Sequence, residues 1–305
     1  MITSLFSKSK PINFIIVILM IIIAFATQFF IHTKMDTISY SSALGAFLIG
    51  VFYVFLTDFI ISKNDLTQRN SYGIMVFGLL LLAFPEAFGN INIVSANLLV
   101  FFALRRLFSL HSKRSLTKKF FDATFWISIA ALFYAWAILY LLIVIAALMY
   151  YWQSELRYAV VVLLAFVTVM ILLVVYNIIL KNEYLVSSNF NFNLSLDFSS
   201  YNSAFGIARL TIVATIYFWS LVYYLRRLPD RNRKMRPIYI LVLISSFIAL
   251  VILLIAPNKN GSEYVFILLP YAIIVANYIE AVQDSWFKDI FVALLILIPI
   301  GNLVL

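Results

Sequence analysis

Long apolar runs broken by short polar stretches dominate the chain, and no strict two-residue alternation marks them. A helix that crosses a membrane needs about 20 apolar residues, and fewer where neighbouring protein covers its ends. By that measure the pattern predicts eleven membrane-crossing helices: 13–31, 42–61, 72–88, 93–107, 122–135, 136–152, 158–180, 207–225, 237–256, 264–281 and 289–304. Without alternation an outer-membrane barrel is not expected. The expected fold is all-α: a polytopic transmembrane bundle of about 11 spans, with residues 1–305 as one membrane-embedded domain. Segment 122–152 is the tightest fit. It holds too few apolar residues for two full crossings, so a short helical hairpin near Tyr134-Ala135-Trp136 is expected, the alternative being one long helix.

Composition agrees and removes other classes. Hydrophobic residues are 64% of the chain and charged residues 11%, against roughly 45–50% and 25% in soluble domains. The mean hydropathy is +1.03. So few polar side chains cannot cover a water-exposed globule. With no cysteine, disulfides, thiolate nucleophiles and Cys-ligated metals are excluded. The two histidines, His32 and His111, fall on opposite membrane faces in the topology below, so no multi-histidine metal site is expected. No nucleotide-binding, zincin or nucleophile-elbow motif appears. No cofactor, no metal and no nucleic-acid partner is expected.

The net charge of +9 is unevenly spread, and this predicts orientation. Linkers 62–71, 105–121 and 226–236 are basic. With these and the N-terminus in the cytoplasm, only Lys34, Lys181, Arg209 and Lys259 among the basic residues lie on the outer side. The C-terminus is then periplasmic. Lys8 and Lys10 before a long apolar run, with no A-x-A pattern after it, predict a retained signal anchor rather than a cleaved leader. The outer loop 182–206 has no Lys or Arg, and Phe190, Phe192, Leu194, Leu196 and Phe198 alternate with polar residues, which predicts an extended strand with one apolar face.

Charges at membrane depth are costly, which makes each one a functional candidate. On the expected outer side these are Asp36, Glu86 and Arg209. A carboxylate beside apolar walls suits a general base, and an arginine's planar fork suits a phosphate or diphosphate. Asp36 and Glu86 are the catalytic candidates, and Arg209, Tyr40 and Asn90 the candidates for holding a lipid-linked substrate. The plainer reading is that Arg209 merely neutralises one of the acids and closes helix ends. Asp58 reads as snorkelling toward Lys63 or Arg69, Asn97 and Asn177 as interhelical hydrogen-bonding residues, and Tyr134, Trp136, Tyr150, Tyr151 and Trp152 as an interfacial aromatic belt. Arg226, Arg227, Arg231, Arg233, Lys234 and Arg236 form a docking candidate for a partner protein or anionic lipid.

A resemblance of general texture runs over most of the chain and is best in Asn97-Leu98 through Arg106-Leu107-Phe108, in Phe120-Phe121-Asp122-Ala123-Thr124-Phe125-Trp126, and in the short hairpin and Trp152 to Arg157. The chain resembles an uncharacterised family of polytopic inner-membrane proteins from flavobacteria and relatives, some of which carry a carotene monooxygenase label. Two histidines cannot supply the four-histidine iron site of carotenoid oxygenases. More distantly the chain resembles C-type membrane glycosyltransferases and polysaccharide repeat-unit polymerases. That likeness implies a polyprenyl-phosphate-linked sugar donor and a catalytic carboxylate in the first outer loop, where Asp36 stands. This loop is short, however, and has no second acidic residue beside Asp36. The leading expectation is an inner-membrane protein of cell-envelope glycan assembly. A non-catalytic scaffold subunit with small membrane-protein partners and a transporter or flippase are the alternatives.

Overall fold

A computed structural model describes residues 2–33, 40–151, 156–182, 184, 192–257 and 259–304. Among them every regular element is helical. Twelve α-helices follow one another: α1 Ile2–Phe6, α2 Pro11–Thr33, α3 Tyr40–Lys63, α4 Tyr72–Ala83, α5 Ile91–Phe108, α6 Leu116–Phe133, α7 Leu141–Tyr151, α8 Arg157–Lys181, α9 Ala204–Arg227, α10 Arg236–Ile255, α11 Leu268–Ala281 and α12 Ser285–Val304. Each of the eleven apolar segments falls on helix. Among the described residues six stretches are long and apolar enough to cross a membrane: Pro11–Phe29, Tyr40–Lys63, Ile91–Ser112, Arg157–Lys181, Ala204–Arg227 and Arg236–Ile255.

The chain forms two compact units, Met1–Val94 with Asp197–Arg231 and Asn258–Leu305, and Ser95–Leu196 with Asn232–Pro257. In the first unit α4 is the core. Eleven of its 12 residues are buried, because α2, α3, α11 and α12 surround it. Close packing needs Gly78: a Cβ there would lie 2.9 Å from Val17 Cγ1. α11 is equally covered and sits against α4 and α9. At one end of this unit Glu280 ties α11 to the 62–71 linker, its carboxylate accepting from Gln68 N–H at 2.9 Å and Asn70 Nδ2 at 2.6 Å.

In the second unit α6 lies along α8, and α7 along α10. The alternative of one long helix over 122–152 does not hold. α6 stops at Tyr134, whose backbone is extended (φ −146°, ψ 107°), a 3-10 stretch Ala135–Tyr140 follows, and both it and α7 pack back on α6. The expected strand in 182–206 is likewise absent among the described residues. Residues 192–198 have no regular structure. They are held instead by Ser195 N–H on Ile255 C=O at 3.4 Å, by Trp136 Nε1–H on Asn193 C=O at 3.2 Å, and by Phe192 edge-on to Trp136. Phe190 lies outside the described residues.

Candidate functional site

Glu86 and Arg209, far apart in sequence, meet in the first unit. Pro85 cannot continue α4 and constrains the residue before it, so the helix ends at Ala83 and a 3-10 turn, Pro85–Phe88, carries Glu86. Arg209 projects from the second turn of α9. That helix starts at Ser203, whose Oγ accepts from Gly206 N–H at 3.0 Å. Arg209 Nη1 donates to Glu86 Oε1 at 2.9 Å and to Ala83 C=O at 3.2 Å, and its guanidinium lies 4.8 Å from the centre of the Phe84 ring. The arginine side chain is 8% exposed and the glutamate 30%. The arginine of the ion pair therefore also donates to one of the free carbonyls at the end of α4.

A second acid joins this end of the unit, and the sequence did not single it out. Glu263, 1% exposed, sits in the 3-10 turn Ser262–Phe266 before α11. Asn260 Oδ1 shapes the turn by accepting from Ser262 N–H and Oγ–H. Gly261 enters it at φ +88°, a conformation that suits glycine, and a Cβ there would lie 2.7 Å from Glu86 Cβ. Tyr201 O–H donates to Glu263 Oε1 at 2.5 Å, Tyr264 stacks on Phe84 at 4.3 Å, and the buried Lys259 ammonium lies 4.8 Å from the Phe198 ring centre. Burial pushes the Glu263 carboxyl above its usual range, although the Tyr201 hydrogen bond and Lys259 pull it back. The Lys259 ammonium is pushed down by burial, against the pull of Glu263. The Tyr201 hydroxyl is raised by burial and by its carboxylate partner.

Three buried atoms of this cluster have no hydrogen-bond partner among the described residues: Glu86 Oε2, Glu263 Oε2 and Arg209 Nε. Unpaired polar atoms at such depth are costly. A hollow of about 520 Å³ lies next to the cluster, lined by Phe198, Ser199, Tyr201, Asn202, Ile207, Leu210 and Thr211. Tyr201 belongs both to its wall and to the Glu263 hydrogen bond. Two of the four basic residues that broke the orientation pattern, Arg209 and Lys259, are in this cluster, and that irregularity was the available signal for Lys259.

The remaining candidates are placed differently. Asp36 lies outside the described residues. Tyr40 begins α3 and is 81% exposed. Asn90 caps α5, its Oδ1 accepting from Asn92 N–H at 2.9 Å and Ile93 N–H at 3.3 Å. Neither Tyr40 nor Asn90 is hydrogen-bonded to Glu86 or Arg209 among the described residues. Asn177 is fully buried in α8, and among the described residues neither of its amide atoms has a hydrogen-bond partner, so the expected interhelical hydrogen bond is not formed there.

The basic run is not one uniform patch. Arg231 NH2 donates to Asn277 Oδ1 at 2.7 Å, and Asn277 Nδ2 in turn donates to Leu66 C=O at 2.9 Å. Arg227 lies over Tyr223 at 4.9 Å. Arg226 edges a cavity of about 460 Å³ with Trp219, Tyr223 and Tyr278. Arg233, Lys234 and Arg236 are exposed. Among the described residues no group of three or more metal-ligating side chains is assembled.

Fold and site together define the class: an all-helical protein, rich in helices able to cross a membrane, with a buried charged cluster at helix ends. The chain belongs to DUF6427, a family of unknown function whose profile matches residues 1–302. No curated protein and no solved structure matches it.

Proposed function

We propose that the protein is a multi-pass inner-membrane enzyme of cell-envelope glycan assembly, acting at the outer face on a polyprenyl-phosphate-linked sugar. In this reading the eleven segments cross the bilayer within one membrane-embedded domain, the N-terminus is cytoplasmic and the C-terminus periplasmic. The observation that carries the proposal is the convergence of Glu86, Arg209, Glu263 and Lys259, with three unpartnered polar atoms, beside a hollow that shares Tyr201. Glu263 takes the hydroxyl proton of the acceptor. The acceptor oxygen bonds to the sugar's anomeric carbon as its bond to the phosphate breaks, and the electron pair leaves on the polyprenyl phosphate. Arg209 and Lys259 stabilise that phosphate. Glu86 holds Arg209 in place, and Asp36 serves as a further carboxylate from the first outer loop.

The test is complementation of a deletion strain with Glu263→Gln, Glu86→Gln, Arg209→Lys and Asp36→Asn, reading surface glycan and lipid-linked precursor. Loss of glycan with precursor accumulating and protein level unchanged is expected for Glu263→Gln and Arg209→Lys. Full glycan in all four variants overturns the proposal. Reporter fusions at the linkers test the orientation.

One observation favours a non-catalytic scaffold instead: Arg209 already satisfies Ala83 C=O and Glu86, which is a finished structural task. If a Glu86→Met/Arg209→Met pair leaves the glycan intact, that reading replaces the enzymatic one.

A further inference from the structure

The second unit holds a cavity of about 520 Å³ between the start of α6 and α8, with Arg106, Arg114, Lys118, Lys119 and Asp122 on one wall and Val161 and Leu164 on the other. We propose that this cavity is a specific site for an anionic phospholipid, seating the headgroup phosphate among the cations and an acyl chain along α8. It is independent of the glycan reading and of the 226–236 run.

Four cations face one acid here, and the acid is already used. Asp122 binds Arg106 at 2.8 Å. Lys119 Nζ donates to Ser109 C=O and, at 2.7 Å, to Ser112 Oγ, which braces the tight turn before α6. In that turn Lys113 and Ser115 both adopt left-handed backbone, at φ 52° each. Arg106 and Lys119 are thus fixed in position. The Arg114 and Lys118 side chains are exposed and have no protein partner among the described residues. The pocket therefore carries unspent positive charge, and an anionic oxygen is its natural complement.

Apolar chemistry on the other wall selects a lipid over a soluble anion. Val161 and Leu164 belong to α8, a helix long and apolar enough to cross a membrane. Beside them Val160, Leu163, Leu164, Val167 and Ile171 form an exposed apolar stripe at helical spacing. A phosphate held at the mouth of the cavity leaves its acyl chain lying on that stripe. The volume falls within the range of about 300–1,000 Å³ usual for small-molecule sites.

The experiment is native mass spectrometry of the detergent-purified full chain, titrated with phosphatidylglycerol, cardiolipin or phosphatidylcholine. The anionic lipids are expected to remain bound where phosphatidylcholine does not. The double variant Arg114→Gln/Lys118→Gln is expected to weaken their retention by about tenfold or more, since each charge near a lipid surface contributes to binding. Lys118→Arg, which keeps the charge, should retain the anionic lipids where Lys118→Gln weakens them. The equal-charge control Lys8→Gln/Lys10→Gln, at two exposed lysines away from the cavity, should change nothing. Leu164→Asn should weaken lipid binding without altering any charge. Equal loss in both double variants, or in neither, overturns the proposal. Displacement of the lipid by millimolar inorganic phosphate, with Leu164→Asn silent, overturns it in favour of a soluble anion. Arg114 and Lys118 are exposed, so their loss does not threaten folding.

Discussion

Two of the molecule's concentrations of charge are built on opposite terms. In the first unit Glu86, Arg209, Glu263 and Lys259 are of mixed sign, mostly buried, and tied to one another or to aromatic rings. In the second unit Arg106, Arg114, Lys118 and Lys119 share one sign, and two of them reach outward with no partner among the described residues. Burial accounts for the difference. A charge removed from water must be compensated by its neighbours, whereas an exposed charge keeps its hydration and stays available to a ligand. In the proposals above, the buried cluster carries chemistry on one bound group and the exposed one captures an anionic lipid.

This contrast is open to direct attack. The largest effect is expected from Glu86→Ala, which leaves Arg209 buried beside Ala83 C=O without its carboxylate. Breaking one partner of a buried pair typically costs about 3–5 kcal/mol. Thermal unfolding in detergent should fall sharply, and a midpoint within one degree of the native protein would show that the pair is not buried in the sense argued. Next comes Gly261→Ala, which combines the positive φ with the 2.7 Å approach to Glu86 Cβ. About 2 kcal/mol of destabilisation is expected, read by the same melt.

A smaller effect concerns pH. The folded-state pKa of Glu263 lies above the ordinary value of 4.5. Between 4.5 and that raised value the folded chain holds more protons than the unfolded one, so stability falls as pH rises through this window. The slope is at most about 1.4 kcal/mol per pH unit. Glu263→Gln should flatten it, and an unchanged melting profile across acidic pH would remove Glu263 from the argument. The smallest effect belongs to Arg114→Gln in the exposed cavity, where a stability change under about 0.5 kcal/mol is expected. A larger loss would mean that Arg114 is structural and that the two regions differ less than claimed.

Part of this was legible in advance. Helix positions follow from apolar runs, because an apolar segment must bond its backbone internally whether lipid or protein surrounds it. The break at Tyr134 was legible from the shortage of apolar residues in 122–152. Glu86 and Arg209 stood out because charges are scarce in such segments. Glu263 and Tyr201 did not, since both lie in polar connections where an acid or a tyrosine is unremarked. The basic run 226–236 read as one patch, yet its Arg231 is committed to Asn277.

α4 and α8 show where the sequence stops. Both are apolar all round, but α4 is nearly wholly buried by protein while only four residues of α8 are. Hydrophobicity alone determined that each is a helix out of water. Which of them faces protein, which acid meets Arg209, and which cations remain unpaired were decided by tertiary packing. The reason is physical: apolar side chains do not distinguish a lipid neighbour from a protein one, and a charge is compensated only by whatever group the fold brings within reach.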